Sequence, residues 1–151
     1  MRHHRAIVLI ATVIVALVGS EVAVANASTA GKAKGYATAG DVTLSFHASG
    51  YLSKASGGFI YEESSGYFSG KVTCYIQDDT GTRAGIAGSI TKSDDPDLVG
   101  DEVTIWVEDS PNSSDRFSVS HSDLPTSCDE DLLELPGNPL TVGQDGYISI
   151  R

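Results

Sequence analysis

The stretch that decides the fold is Asp101-Glu102-Val103-Thr104-Ile105-Trp106-Val107-Glu108-Asp109, which contains the only tryptophan of the chain. Its residues alternate between an aliphatic set and a polar or aromatic set. The aliphatic set is Val103, Ile105 and Val107, and the other set is Glu102, Thr104, Trp106 and Glu108. Side chains of a β-strand point alternately to opposite faces of its sheet. The pattern therefore predicts a strand that is buried on one face.

Segments of the same kind lie before and after this strand at intervals of about ten residues, separated by turns rich in glycine, serine and aspartate. They are Asp41–Ala48, Gly58–Glu62, Gly70–Gln77, Thr82–Thr91, Arg116–His121 and the closing Gly146–Arg151. We expect the closing segment to pair with an early strand, and Asp129–Leu135 to form one helical turn. The prediction is an all-β, antiparallel small barrel or sandwich of about eight short strands with little helix.

The first residues have the pattern of an export signal. A basic start, Met1–Arg5, precedes an apolar run, Ala6–Val18, and the small residues Ala25 and Ala27 frame a cleavage site. An N-terminal membrane anchor is the alternative, although the run is short for a span of about 20 residues. We predict a signal peptide over 1–27, a flexible leader over 28–40 that becomes a strand near Lys34–Thr38, a single β domain over 41–151, and a secreted protein.

The chain is strongly acidic, with 10 basic and 20 acidic residues in 151 and a net charge of −10. Such a charge repels nucleic acid and anionic membrane surfaces. We therefore expect neither as a partner once the signal is removed. The predicted partner is an unknown extracellular ligand or protein.

Cys74 and Cys128 are the only cysteines of the chain. In an exported protein two cysteines are expected to form a disulfide. A reactive or redox thiol is the alternative, but neither cysteine lies in a Cys-x-x-Cys arrangement. The prediction is a structural Cys74–Cys128 bond.

Acidic side chains cluster between strands, and the densest group is Asp94, Asp95, Asp97 and Asp101. Calcium takes six to eight oxygen ligands, often carboxylates of one loop. The loop lacks the spacing and the turn glycine of an EF-hand, so a weak calcium site and a solvated acidic loop both remain open. We expect no other cofactor.

No arrangement of residues in the sequence specifies a reaction. A glycosidase pair chosen from Glu62, Glu108 and Asp109 would need a set separation in space. His121 with Asp123 and a serine could form a triad, but no Gly-x-Ser-x-Gly motif surrounds any serine. His47 and His121, both expected on the outward face, have no zinc-binding spacing. We assign no catalytic residue.

Three aromatic residues are predicted on faces opposite the aliphatic ones. They are Trp106, Tyr75 and Tyr61; in the strand of Tyr75 the apolar face is assigned to Val72, Cys74 and Ile76. If these rings cluster, they could form a platform for a carbohydrate or other small ligand. A second packed layer of side chains is the alternative interpretation.

The order of short motifs also carries a resemblance to a known group. They are Asp41–Phe46, Gly70–Tyr75, Gly88–Thr91, Val103–Asp109, Asp115–Val119 and Gly146–Arg151. Over most of residues 40–151 the chain resembles small secreted actinobacterial proteins of the post-COAP domain family, although it lacks their glycine-rich opening. The resemblance implies a β-barrel-like fold and secretion, and it supplies no catalytic residues.

These observations lead to two functional hypotheses. The first is a secreted, non-catalytic extracellular binding or interaction module, favoured by the absence of catalytic motifs from the sequence. The alternative is a small β-barrel enzyme, an isomerase or hydrolase, with its site in the lumen. The second requires a polar pocket inside the barrel that holds a histidine or a carboxylate.

Overall fold

A computed structural model describes residues 30–134 and 137–151. The predicted signal peptide and its cleavage residues Ala25 and Ala27 lie outside the described residues. No helix in the part of the chain that the structure describes is long and apolar enough to cross a membrane.

Nine antiparallel strands form one curled sheet, which confirms the predicted fold class. The strands are β1 Gly31–Ala39, β2 Val42–Gly50, β3 Ser56–Glu63, β4 Gly66–Gln77, β5 Arg83–Ser93, β6 Glu102–Glu108, β7 Arg116–Ser122, β8 Leu140–Thr141 and β9 Tyr147–Ile150. Their order across the sheet is β8-β7-β6-β5-β4-β3-β2-β1-β9. Two short 3₁₀ helices, Pro96–Leu98 and Glu130–Leu133, lie between strands. The second lies within Asp129–Leu135, where one helical turn was predicted; Leu135 itself lies outside the described residues.

The amino-terminal strand was only partly predicted. β1 begins at Gly31 rather than near Lys34, and it pairs with β2 on one side and with β9 on the other. Most of the segment expected to be a flexible leader is therefore a central strand of the sheet. The pairing of β9 with β1 confirms that the closing segment joins an early strand.

The concave face of the sheet encloses the main core. The aliphatic set of the deciding stretch lies there, with Val103, Ile105 and Val107 at most 1% exposed. Large side chains from the other strands fill the space between them; they include Leu44, Phe46, Phe59, Phe68, Ile86 and Phe117. The described part of this interior is packed with apolar side chains, which excludes water and stabilises the curled sheet.

A β-bulge in β4 changes the predicted facing of its side chains. The register with β5 shifts between Val72 and Cys74, so Thr73 is an extra residue without a cross-strand partner. Tyr75 therefore points into the main core and is 1% exposed, whereas Cys74 and Ile76 belong to a second cluster on the convex face. The assignment of Val72, Cys74 and Ile76 to one face was wrong, because a bulge reverses the alternation.

The second cluster holds a loop against the convex face of the sheet. The predicted disulfide between Cys74 and Cys128 is formed, with a Cα–Cα distance of 5.8 Å. It fixes the helix Glu130–Leu133 against β4 and β5, where Leu132 packs. A Cβ atom at Gly85 would clash with the carbonyl oxygen of Leu132, so this glycine allows the loop to approach the sheet.

The turn between β4 and β5 is built around Asp78, the one charged side chain that is buried among the described residues. Its carboxylate accepts hydrogen bonds from the amides of Thr82 and Arg83, at 2.9 and 3.0 Å, and from the hydroxyl of Thr80. Burial raises the pKa of Asp78, but these bonds and the Arg83 side chain outweigh burial and leave the pKa below its ordinary value of 3.8.

We expect the free energy of unfolding to depend less on pH in the acidic range when Asp78 is replaced by asparagine. The folded-state pKa lies below the unfolded value of about 3.9, so the carboxylate stabilises the fold above about pH 4. That stabilisation is lost as the pH falls through the folded-state pKa. Urea unfolding at about pH 6 and about pH 3 should therefore show a smaller acid-induced loss for the variant than for the wild type. Asp79→Asn, at an exposed neighbour, is the control, and an equal loss in Asp78→Asn and wild type would contradict the prediction.

Candidate functional site

The sheet curls into a half-barrel, and one end of this barrel opens into a pocket of about 320 Å³, which we call the mouth pocket. It lies where the β3–β4 hairpin meets the connection from β5 to β6. Its aromatic lining is Tyr61, Tyr67 and Phe68, and its charged or titratable lining is Glu63, Asp94, Asp95 and His121. Several aromatic rings and carboxylates therefore share one concave surface.

The aromatic side of the mouth pocket comes from the β3–β4 hairpin. Tyr61 and Phe68 are cross-strand partners, and their rings stack with centroids 4.8 Å apart at 21°. The edge of Phe68 meets the imidazole of His121 at 6.1 Å. Tyr67 is the cross-strand partner of Glu62, so its ring lies on the other face of the hairpin, where it is 41% exposed. The aromatic surface inside the mouth pocket is therefore the stacked pair of Tyr61 and Phe68.

The hydroxyl of Tyr61 is held as a hydrogen-bond donor. It donates to Oε2 of Glu63 at 2.9 Å, while the hydroxyl of Ser65 donates to Oε1 at 2.6 Å. Burial raises the pKa of Tyr61 to about 12, and Glu63 adds to the effect through its hydrogen bond and its charge. Tyr61 therefore stays protonated at neutral pH, and both oxygens of Glu63 have partners.

Two aspartates at the start of the β5–β6 connection supply the remaining negative charge. Oδ1 of Asp94 accepts from the amide of Tyr67 at 3.0 Å, which fixes the connection to the hairpin. Oδ1 of Asp95 accepts from the amide of Asp97 at 3.0 Å and caps the helix Pro96–Leu98. Each aspartate uses one carboxylate oxygen in these bonds, so negative charge remains available at the pocket.

His121 was predicted on the outward face, and this was wrong. It follows Phe117 and Val119 at intervals of two residues in β7 and shares their concave face, at the rim of the barrel. Its Nδ1 lies 3.8 Å from Oδ2 of Asp101, which is an ion-pair distance but too long for a hydrogen bond. Among the hydrogen bonds of residues 30–134 and 137–151, none joins His121 to a serine, so the triad with Asp123 is not assembled.

The predicted calcium ligands do not converge. The carboxylates of Asp94 and Asp95 accept hydrogen bonds from backbone amides, and the carboxylate of Asp101 faces His121. Asp97, the fourth predicted ligand, lies within the short helix and is exposed. In the described chain no group of three or more histidine, cysteine, aspartate or glutamate side chains is placed to hold a metal ion.

The aromatic platform expected from Trp106, Tyr75 and Tyr61 is not formed. Trp106 does lie on the convex face, but the disulfide-linked loop covers it to 2% exposure and its Nε1 donates to the carbonyl of Leu133 at 3.3 Å. Tyr75 is in the core on the other face, and its burial raises the pKa of its hydroxyl. Tyr61 lines the mouth pocket, whereas Trp106 lines a separate depression of about 290 Å³ under the disulfide-linked loop, so the rings do not share one site.

The carboxylates considered for a glycosidase pair have other partners or positions. Glu108 pairs with Arg116 across the β6–β7 ladder. Oδ2 of Asp109 accepts from the amide of Ile150 at 3.2 Å. Glu62 is exposed on the opposite face of β3 from Tyr61. The three are not brought to one site.

Sequence reasoning missed most of the mouth pocket. Tyr67, Phe68 and Glu63 flank a hairpin turn, and their grouping with Asp94 depends on the register between β4 and β5. The sequence signal that points to them is a pair of adjacent aromatic residues directly after the turn Ser64–Gly66.

Comparison of the chain with known protein families, with curated proteins and with solved structures finds no match. The resemblance to the post-COAP family stays a prediction.

Proposed function

We propose that the protein is a secreted, non-catalytic binding module whose mouth pocket takes a small cationic ligand. The observation that carries the proposal is the stacked pair of Tyr61 and Phe68 beside three carboxylates at the rim of a filled barrel. Export is supported by the signal-like first residues and by the disulfide, a bond that persists in oxidising compartments.

Charge favours a cation over a neutral or anionic ligand. Glu63, Asp94 and Asp95 line the pocket, and His121 is the one side chain there that can become positive. Aromatic faces attract cations through their quadrupole, most strongly for ammonium groups that lose part of their water. The net charge of −10 adds a long-range attraction for the same kind of ligand.

The filled interior argues for binding rather than for catalysis in the lumen. The lumen hypothesis requires a polar cavity within the barrel, whereas the described core is composed of apolar side chains and Tyr75. The polar groups collect at the mouth, where Tyr61 and Glu63 are already bonded to each other. Such groups orient a ligand, and they hold no activated nucleophile.

The test uses choline and putrescine as probes, with glucose as the uncharged comparison, in isothermal titration calorimetry. Probes of this size are expected to bind with dissociation constants of about 1 mM. Asp95→Asn keeps the helix cap and removes one charge, so it should weaken binding about threefold to fivefold, the value of one partly exposed charge pair.

Two controls make the result specific. Asp79→Asn removes a charge of the same kind from an exposed position outside the pocket and should leave binding unchanged. Tyr61→Leu removes one ring of the stacked pair and should weaken choline binding more than putrescine binding, because quaternary ammonium groups depend more on aromatic faces. Glucose binding as tight as choline, or equal affinities in wild type and Asp95→Asn, would refute the proposal.

A further inference from the structure

The convex face of strands β9, β1, β2, β3 and β4 is basic, although the protein is acidic. Of the eight lysines and arginines after residue 30, five occupy outward positions on this face or at its end: Lys32, Lys34, Lys71, Lys92 and Arg151. His47 lies among them, directly opposite Lys34. We call this surface the basic face.

The positive side chains follow the cross-strand register. Ser149, Lys34, His47, Gly58, Lys71 and Ser89 form one row across six strands. With strands about 4.8 Å apart, Lys34 and Lys71 are separated by about 14 Å. Gly58 lies between His47 and Lys71, and the His47 ring approaches the space that a side chain there would occupy. A depression of about 410 Å³ is lined by Lys32, Lys34, His47 and Arg151.

A second row next to the first is aromatic and apolar. Tyr147, Tyr36, Ser45, Ile60, Ser69 and Lys92 are successive partners across the strands. Tyr147, Tyr36 and Ile60 are 53%, 42% and 47% exposed, which places them among the most exposed large apolar side chains described. The aromatic row contains no carboxylate, and the basic row meets one only beyond Ser89, where Glu102 of β6 accepts from the Ser89 hydroxyl at 2.7 Å.

Solubility and edge protection do not explain this arrangement. Lysines often protect the edges of sheets from pairing with other chains, but Lys34 and Lys71 lie on β1 and β4, which are paired on both sides. None of the five basic side chains forms an ion pair with another described residue. The positive charge is therefore concentrated and is not neutralised by ion pairs, and it lies beside rings that are open to solvent.

We propose that the basic face is a binding surface for an acidic polysaccharide. Lysines at strand spacing fit the carboxylates or sulfates of a linear polymer, and the neighbouring tyrosines fit the apolar faces of its sugar rings. Such a polymer has fewer charges per unit length than nucleic acid. The repulsion from a chain of net charge −10 is correspondingly weaker, which favours the polysaccharide.

Binding to immobilised polygalacturonate at about 50 mM salt tests the proposal. Lys34→Ser/Lys71→Ser removes two charges from the row and should weaken binding about tenfold, since two contacts of about 0.7 kcal/mol each amount to that factor. Ser113→Glu/Ser114→Glu is the matched control. It lowers the net charge by the same amount at exposed positions of the β6–β7 loop, and should change binding much less.

Further variants and probes separate the alternatives. Tyr36→Ser/Tyr147→Ser should also weaken binding, whereas circular dichroism should show the same fold for every variant. Equal weakening by the two charge variants would show that net charge alone acts, and would overturn the proposal. So would failure of the wild type to bind polygalacturonate, or tighter binding to an oligothymidylate, which would assign the face to nucleic acid.

Discussion

Replacing Cys74 and Cys128 together by alanine is expected to lower the free energy of unfolding by about 4 kcal/mol, the largest effect we predict. The bond joins residues 54 positions apart, so its removal frees a long loop in the unfolded chain. It also releases the helix Glu130–Leu133 from the convex face. Trp106 lies beneath that loop and should become accessible.

Urea unfolding followed by tryptophan fluorescence measures both consequences. The midpoint should fall, and the emission of folded Cys74→Ala/Cys128→Ala should shift to longer wavelength as water reaches Trp106. The single variant Leu132→Ala is a control that loosens the loop and retains the bond. A double variant within about 1 kcal/mol of the wild type would contradict the prediction.

Asp115→Ala is expected to cost about 2–4 kcal/mol, because it removes two hydrogen-bond acceptors from one place. Oδ1 of Asp115 accepts from the amide of Ser110 at 3.0 Å and Oδ2 accepts from the amide of Ile148 at 2.8 Å. Ile148 is in β9, an edge strand whose outer side has no neighbouring strand in the sheet. Asp109 accepts from the amide of Ile150 in the same way. The two carboxylates therefore supply the hydrogen-bond acceptors that a neighbouring strand would otherwise provide to β9.

Chemical denaturation gives the size of this effect, and amide hydrogen exchange locates it. Exchange at Ile148 should accelerate in Asp115→Ala more than exchange in the centre of the sheet. Asp115→Asn keeps one acceptor oxygen and should lose less stability. Asp145→Ala removes a nearby exposed carboxylate and serves as the reference. If Asp115→Ala and Asp145→Ala lose the same free energy of unfolding, the Asp115 carboxylate does not stabilise the edge strand β9.

The sequence was sufficient to predict the fold class because the pattern with a period of two is repeated in nearly every strand. The deciding stretch was assigned to the correct faces throughout, and the disulfide followed from having only two cysteines. The strand β8, with only two residues, Leu140 and Thr141, is too short to show any alternation. β1 was underestimated because Ala and Gly on its buried face resemble a linker.

The mouth pocket could not be predicted in the same way. Its members come from β3, β4, the β5–β6 connection and β7, and their grouping depends on registers that alternation alone does not determine. The facing of His121 illustrates the difficulty. Its strand was predicted correctly, but the outward assignment ignored its spacing from Phe117 and Val119.

The unpaired residue Thr73 divides β4 into two segments whose side-chain alternation is out of phase. Even-numbered residues face the core before Thr73 and odd-numbered residues face it afterwards, so Cys74 reaches the loop outside while Tyr75 enters the core. If β4 alternated regularly through Thr73 instead of bulging there, Cys74 would face the core and Tyr75 would face outward, placing a sulfur where the ring belongs and a phenol where the bond to Cys128 forms. A single backbone insertion therefore decides which surface of the sheet can be covalently attached to the rest of the chain.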